Sequence, residues 1–205
     1  MTSESIQDGW DQRYATDEYV WRVEPNQFVK AQLIDLAPGR AIDLGAGEGR
    51  NAVWLATRGW RVTAVDISPV GLQKGSRLAA ENGVDVDFVE GDATTWEPIE
   101  PVDLVLLSYL QIPTPQRLTA LEHARTWLRP GGTLFVIAHD RSNIEHGHGG
   151  PQAPDVCYTV EETVDALDGL DILAAEVAER VVTTDDGERV ALDTLVRAVR
   201  PVSDS

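Results

Sequence analysis

Short apolar runs rich in valine, isoleucine and leucine recur along the chain. They lie at 40–44, 61–65, 85–89, 102–107 and 132–138. Within each run the apolar residues are nearly continuous instead of alternating with polar ones. That pattern is typical of strands buried on both faces of a parallel sheet.

Stretches with helical spacing separate these runs. Apolar residues three and four positions apart predict helices over 51–58, 69–82 and 115–128. Ser68 is suited to cap the second helix, and Pro69 to occupy its first position. Strands and helices that alternate at these lengths predict βαβ units.

Two long β-like runs, 173–184 and 189–199, follow near the end of the chain. The segment 185–188 (Asp-Asp-Gly-Glu) joins them, and Asp-Gly between such runs favours a hairpin. We therefore predict an α/β fold: a single doubly wound, mostly parallel seven-stranded sheet, Rossmann-like, with an antiparallel C-terminal β-hairpin and helices on both faces.

The first 39 residues precede the predicted sheet. They show helical spacing at 6–15 and 25–36, with Pro25 at a helix start. We expect a helical leader over 1–39 and a ligand-binding domain over 40–205. The leader is interpreted either as a helical layer packed on the sheet or as a lid over a ligand, and the two interpretations are compatible.

The net charge of the chain limits the binding partners that we expect. The chain carries 17 basic and 34 acidic residues, a net charge of −17. Such a surface repels nucleic-acid phosphates and anionic membranes. We therefore expect neither as a partner, and we expect a monomer or a homodimer.

The compartment is predicted from what the sequence lacks. Its one cysteine, Cys157, permits no intrachain disulfide. The first ten residues are polar and acidic, unlike a secretory signal, and no stretch of 18 continuous apolar residues occurs. These features favour the cytoplasm.

The segment 43–49, Asp-Leu-Gly-Ala-Gly-Glu-Gly, joins a predicted strand to a predicted helix. Its glycines allow positive φ angles and close approach of a ligand to the main chain. A second acid, Asp66, ends the next strand, where dinucleotide folds bind ribose hydroxyls. The G-x-G-x-G spacing departs from the dinucleotide fingerprint. In addition, Asp43 suits a ligand with ammonium and sulfonium groups better than a diphosphate. An NAD-dependent oxidoreductase is therefore disfavoured.

These residues resemble the first motif of the class I S-adenosylmethionine-dependent methyltransferases. Further segments resemble the family's later landmarks in order: 65–68, 90–93, 103–108 and 128–134. The resemblance extends from residue 40 to about 199. It implies S-adenosyl-L-methionine as the cofactor.

The leader resembles a narrower group within that family. Segments 10–14, 20–21 and 24–26, together with 49–56, are similar to the tellurite-resistance and thiopurine-type methyltransferases. That group methylates small compounds, often at soft sulfur, selenium or tellurium atoms.

The resemblance also implies which residues contact the cofactor. Asp43 would lie near its amino group, Asp66 would bind the ribose hydroxyls, and Asp92 would accept a hydrogen bond from the adenine amino group. The full set of implied cofactor residues is Trp10, Tyr14, Trp21, Asp43, Gly45, Ala46, Gly47, Asn51, Asp66, Ile67, Asp92, Ala93 and Ser108.

The loop after the fifth strand, 138–151, holds three of the four histidines: His139, His146 and His148. Histidine titrates near neutral pH and is the usual general base. One of them could deprotonate or orient a substrate, or the loop could be a glycine-rich lid with incidental histidines. A metal site formed by His146 and His148 with His139 or Asp140 is the third alternative. Two histidines in a loop are weak evidence for a metal without a third fixed ligand, so no metal is predicted.

The sequence thus predicts an S-adenosylmethionine-dependent methyltransferase with a small-molecule acceptor. The accepting atom (S, Se or Te, O or N) is left open. A regulator that binds the cofactor without catalysis is the alternative.

Overall fold

A computed structural model describes residues 3–202; Met1, Thr2 and 203–205, which belong to the predicted leader and domain, lie outside the described residues. The strands are β1 (Arg40–Leu44), β2 (Arg61–Asp66), β3 (Asp87–Glu90), β4 (Val102–Ser108), β5 (Leu128–His139), β6 (Asp171–Thr184) and β7 (Gly187–Val199). They form one sheet in the order β3-β2-β1-β4-β5-β7-β6. Strands β1 to β5 pair in parallel, and β7 is antiparallel to both β5 and β6. The predicted fold class is confirmed.

Seven helices lie in the described residues. They are α1 (Ser3–Tyr14), α2 (Gln27–Leu33), α3 (Arg50–Thr57), α4 (Pro69–Glu81), α5 (Thr114–Thr126), α6 (Asn143–His146) and α7 (Val160–Ala166), with a 3₁₀ turn at Pro154–Val156. Three of them, α3, α4 and α5, connect parallel strands. Short α6 and α7 were not predicted, because neither spans enough residues for its apolar period to stand out.

Burial of both sheet faces explains the continuous apolar runs. On β4, Leu104 and Leu106 join the core cluster that includes α2 and α3 residues. Val105 and Leu107, one residue out of phase, join the cluster that includes residues of α5 and α7. Alternate side chains of one strand therefore fill two cores, which explains the continuous apolar run from Leu104 to Leu107.

Local capping chemistry sets several boundaries. Ser68 Oγ accepts a hydrogen bond from Gly71 N at 3.1 Å, and Pro69 opens α4 as predicted. Asn26 caps α2 by accepting from Phe28 N at 2.8 Å, so this helix starts after the predicted Pro25.

Two boundaries differ from the prediction for reasons of pairing. Segment 129–131, which lies between the predicted helix 115–128 and the predicted strand 132–138, belongs to the bulged start of β5, because Val102 pairs with Leu128 and Leu104 with Thr133. The hairpin turn is two residues long instead of four, since Thr184 pairs with Gly187. Within residues 3–202, the helices are too short or too polar to cross a bilayer.

Candidate functional site

A cavity of about 500 Å³ lies between the leader and the carboxyl ends of the parallel strands. This edge of the sheet is where α/β folds bind ligands. Most of the predicted site residues line it: Trp10, Tyr14, Trp21, Gly45, Ala46, Gly47, Asn51, Asp66, Ile67, Asp92, Ala93, Ser108 and His139. Asp43, His146 and His148 do not.

The turn between β1 and α3 requires glycine at two positions. Gly45 and Gly47 have φ angles of 77° and 55°, a region that favours glycine. A Cβ atom on Gly45 would lie 2.8 Å from Leu110 Cδ1, and one on Gly47 would lie 2.6 Å from the Tyr14 hydroxyl oxygen. The bare main chain therefore forms part of the cavity wall.

Asp66 ties the end of β2 to this turn. Its Oδ2 accepts from Gly47 N at 2.7 Å and its Oδ1 from Ser68 N at 2.9 Å. Burial raises the pKa of Asp66, although these amide hydrogen bonds oppose the rise. Each oxygen keeps a second lone pair for a ligand. The predicted ribose contact stays a prediction.

Asp43 does not line the cavity, and its predicted place near the cofactor's amino group stays a prediction. It is 1% exposed, and neither carboxylate oxygen has a hydrogen-bond partner among the described residues. Burial raises the pKa of Asp43 to about 7, and the backbone of Ala52 at the start of α3 lowers it by less. Sequence position alone did not show that this strand residue points into the protein.

The raised pKa of Asp43 predicts a pH-dependent stability. The native state keeps the proton where the unfolded chain has lost it, so this contribution is present below pH 3.8 and is lost as the pH rises through about 7. In Asp43→Asn, the free energy of unfolding should improve relative to wild type as the pH rises from about 5 to 8. Urea denaturation of ligand-free wild type and Asp43→Asn across that pH range measures the two free energies of unfolding. A difference between the two proteins that does not change with pH would contradict the raised pKa of Asp43.

Asp92 forms hydrogen bonds with the leader and with its own turn. Its Oδ2 accepts from Ser3 Oγ at 2.6 Å, and its Oδ1 accepts from Thr94 N and Oγ1 at 2.8 and 2.7 Å. Burial alone would raise the pKa of Asp92, but these hydrogen bonds outweigh it and lower the pKa. The first turn of α1 therefore approaches the predicted adenine-binding residue.

Three aromatic side chains of the leader border the cavity. The Trp10 and Tyr14 rings stack with centroids 5.6 Å apart, and the Arg13 guanidinium lies 4.9 Å from the Trp21 ring centroid. Tyr14 is buried beside Gly47, and burial raises the pKa of its hydroxyl. The leader is thus packed on the domain and also borders the cavity, consistent with both interpretations of it.

A buried ion pair that the sequence analysis missed anchors the leader. Glu48 accepts from the backbone N of Val20 and of Trp21, both at 3.0 Å, and from Lys74 Nζ at 2.9 Å. Lys74 also donates to Glu18 O at 2.6 Å. Lys74 lies on the buried side of α4, and a lysine on an apolar helix face was the available signal.

A second missed group surrounds a fully buried carboxylate on β7. Asp193 accepts from the Tyr109 hydroxyl at 2.8 Å and from Arg180 Nε at 2.7 Å, and His139 Nδ1 lies 3.3 Å from its Oδ1. Tyr109, Arg180 and His139 line the cavity. A single aspartate within the largely apolar run of β7 was the signal in the sequence.

Tyr109 is also unusual in its backbone. Its φ of 56° makes it the one non-glycine residue with positive φ in the described part of the chain. Such conformations cost about 1–3 kcal/mol and cluster at functional sites.

Two more of the predicted site residues are buried or partly buried beside the cavity. Strand β4 ends at Ser108, whose buried Oγ has no hydrogen-bond partner among the described residues. Asn51, also predicted, accepts from Asn26 N at 2.9 Å.

The structure separates the three loop histidines. His146 is 69% exposed in α6, and His148 is exposed in the loop after it. Neither lines the cavity, and the catalytic role predicted for them stays a prediction. Asp140 binds Ser142 and Thr194 instead. Across residues 3–202, no three histidine, cysteine or acidic side chains are grouped to hold a metal.

Proteins that are similar to this chain in sequence or fold include named methyltransferases. The profile of a family described as a methyltransferase domain matches residues 41–132. That segment holds the glycine turn, Asp66 and Asp92.

Two curated relatives illustrate the range of similarity. Ribosomal RNA small subunit methyltransferase C of Alcanivorax borkumensis is 35% identical over 50% of this chain and 33% of its own length. The Arabidopsis thaliana protein named "Probable thiol methyltransferase 2" is 26% identical over 74% of this chain and 69% of its own length. The chain spans less than half the length of several relatives that it matches.

A solved structure shares the whole fold. The N-methyltransferase NodS of Bradyrhizobium japonicum, crystallised with S-adenosyl-L-homocysteine, superposes with a TM-score of 0.73 at 17% identity, covering 96% of this chain and 98% of NodS. The methyltransferase-domain profile over residues 41–132 and this shared fold are what the chain has in common with known methyltransferases.

Proposed function

We propose that this chain transfers a methyl group from S-adenosylmethionine to a small molecule. The observation that carries the proposal is the cavity wall built from Gly45, Gly47 and Asp66, within the segment that matches the methyltransferase profile.

The residues present fit this cofactor. Gly45 and Gly47 line the cavity without side chains, so a nucleoside could approach their main chain directly. The acidic side chains Asp66 and Asp92 border the same cavity, and Asp43 lies buried and unpaired beneath it. Negative charge favours a ligand with ammonium and sulfonium groups and disfavours a diphosphate.

The proposal assigns roles to several of these residues. Asp66 would accept from the ribose hydroxyls and Asp92 from the adenine amino group, with Ile67 and Ala93 beside the ring. Asn51 and Ser108 would lie near the amino-acid portion. When bound, S-adenosylmethionine supplies a methyl group activated by its sulfonium charge.

The chain itself contributes alignment and exclusion of water. Trp10, Tyr14 and Trp21 border the cavity from the leader, and the Glu48–Lys74 pair holds that segment in place. Fixing two reactants in line contributes up to about 7–11 kcal/mol in well-oriented reactions. The leader therefore acts as a cover over the reactants.

A small-molecule acceptor is favoured over RNA. A net charge of −17 opposes RNA binding, which depends on neutralising phosphates with lysine and arginine. One relative's name specifies a thiol acceptor and another's specifies ribosomal RNA. We place the protein nearest the tellurite-resistance and thiopurine-type group, and its reaction in the cytoplasm, on sequence grounds.

Calorimetric titration with S-adenosylmethionine, with NAD as the parallel control, tests the cofactor. We expect micromolar binding of the first and none of the second. Transfer of labelled methyl is then compared between panels of thiols and phenols and purified ribosomal RNA. Folded protein that does not bind S-adenosylmethionine would overturn the proposal, and binding without turnover would favour the regulator.

A further inference from the structure

His139 stands at the end of β5 with its two ring nitrogens in different surroundings. Nδ1 is buried, 3.3 Å from Asp193 Oδ1, and has no completed hydrogen bond. Nε2 has no partner among the described residues and is not buried. The ring is 13% exposed and lines the cavity, so the solvent-accessible Nε2 is the nitrogen available to a ligand.

Two neighbours fix the plane of this ring. A Cβ atom on Gly150 would lie 2.9 Å from His139 Nδ1, so only glycine lets the loop pack there. On the other side, the Tyr109 ring lies 4.7 Å away between centroids. A small rotation between these neighbours would align Nδ1 with Asp193, and catalytic hydrogen bonds commonly tighten in this way on ligand binding.

Asp193 keeps its negative charge. Burial alone would raise its pKa, but the contacts with His139, Arg180 and Tyr109 outweigh burial and lower it. Tyr109 keeps its proton, because burial and Asp193 raise its pKa. Asp140, next to His139 in the chain, is engaged with Ser142 and Thr194. The polar and charged groups around the ring and its partners are Asp193 (β7), Arg180 (β6), Tyr109 (after β4), Asn26 (before α2) and Arg50 (α3).

We infer that His139 accepts the proton of the methyl-accepting atom and that Asp193 is the positioning residue that orients it. The inference rests on the proposed function. It specifies the acceptor class as a nucleophile that arrives protonated, such as a hydroxyl or thiol of a small molecule. An acceptor with a free lone pair and no proton to lose would need no such base.

The proton and electron balance is complete without a further reagent. The acceptor's lone pair forms the new bond to the methyl carbon, and the sulfur keeps the electron pair of the bond that breaks. The acceptor's proton passes to His139 Nε2. Asp193 then faces an imidazolium at Nδ1, and the proton leaves to solvent.

The position of the imidazole proton tests the inference without turnover. ¹⁵N NMR of histidine-labelled protein, assigned with His139→Gln, reports which ring nitrogen of neutral His139 is protonated. We expect Nδ1–H in wild type and loss of that preference in Asp193→Asn. Wild type with the proton on Nε2 would overturn the inference, even if Asp193→Asn failed to fold.

Cofactor affinity separates this inference from the proposed function. His139→Gln should bind S-adenosylmethionine within about threefold of wild type, as should His123→Gln, the control on α5. Failure of wild type to bind would overturn the proposed function. Loss of binding in His139→Gln alone would overturn only the role of His139 as a base.

Acceptor acidity provides the kinetic test. With a protonated phenol, His139→Gln should lower kcat/KM at least about 100-fold, the usual range for a general base. The loss should shrink for a phenol or thiol that is already ionised at the assay pH. An equal loss for protonated and ionised acceptors would mean that His139 only shapes the cavity, and would contradict the inference.

Discussion

Lys74→Met should lower the free energy of unfolding by about 3 kcal/mol. The Glu48–Lys74 pair is almost fully buried, with side chains 3% and 6% exposed. Removing one partner leaves an uncompensated buried charge, which costs about 3–5 kcal/mol. The lower figure applies because Glu48 keeps two backbone donors, Val20 N and Trp21 N.

Thermal and urea denaturation measure this effect. For a domain of this size, about 3 kcal/mol corresponds to a fall in Tm of about 6–12 °C. Arg77→Met is the matched control, since Arg77 is exposed on the same helix, and its Tm should shift little. Adding Glu48→Gln to Lys74→Met should recover part of the loss, because a neutral side chain needs no counter-charge, while its single oxygen can replace only one of the two acceptors of Val20 N and Trp21 N. A double variant less stable than Lys74→Met would contradict this account.

Asp66→Ala should weaken S-adenosylmethionine binding by about 10- to 150-fold. Hydrogen bonds to a charged group contribute about 1.5–3 kcal/mol, and each 1.4 kcal/mol is tenfold in affinity. The substitution also removes the acceptor of Gly47 N, which holds the glycine turn against β2. The lost hydrogen bonds to the cofactor and the loosened glycine turn should both weaken cofactor binding. The loss of affinity should therefore be among the largest for any single cofactor residue.

Calorimetry of folded variants tests this expectation. Asp87→Ala is the matched control, because Asp87 is exposed on the neighbouring strand β3 and does not line the cavity. Asp66→Asn removes the charge but keeps nearly the same shape, and its affinity for S-adenosylmethionine should lie between those of wild type and Asp66→Ala. An Asp66→Ala protein with normal affinity would exclude the proposed ribose contact.

The sheet and most of its helices are predictable from short-range patterns. Burial on both faces requires apolar residues in the middle of β4, and that requirement appears directly as the run 104–107. The cap at Ser68 and the glycine turn are likewise local, because each involves backbone groups within a few residues. Local rules therefore also predicted the edge of the sheet at which the cavity lies.

The direction of individual polar side chains depends on tertiary contacts. Asp43 and Asp66 both belong to strands that lead toward the cavity, yet only Asp66 lines it. Three histidines lie within ten residues, but the turn of the loop brings only His139 of the three to the wall. Whether a side chain turns inward depends on the packing of elements distant in sequence.

The sequence by itself determined the fold class and the glycine turn, because these follow from apolar periods and backbone chemistry within a few residues. The tertiary structure alone decided which charges meet. Glu48 and Lys74 are 26 residues apart, and Tyr109 and Asp193 are 84 apart. Such pairs form only when packed strands and helices exclude water, which makes an unpaired charge costly.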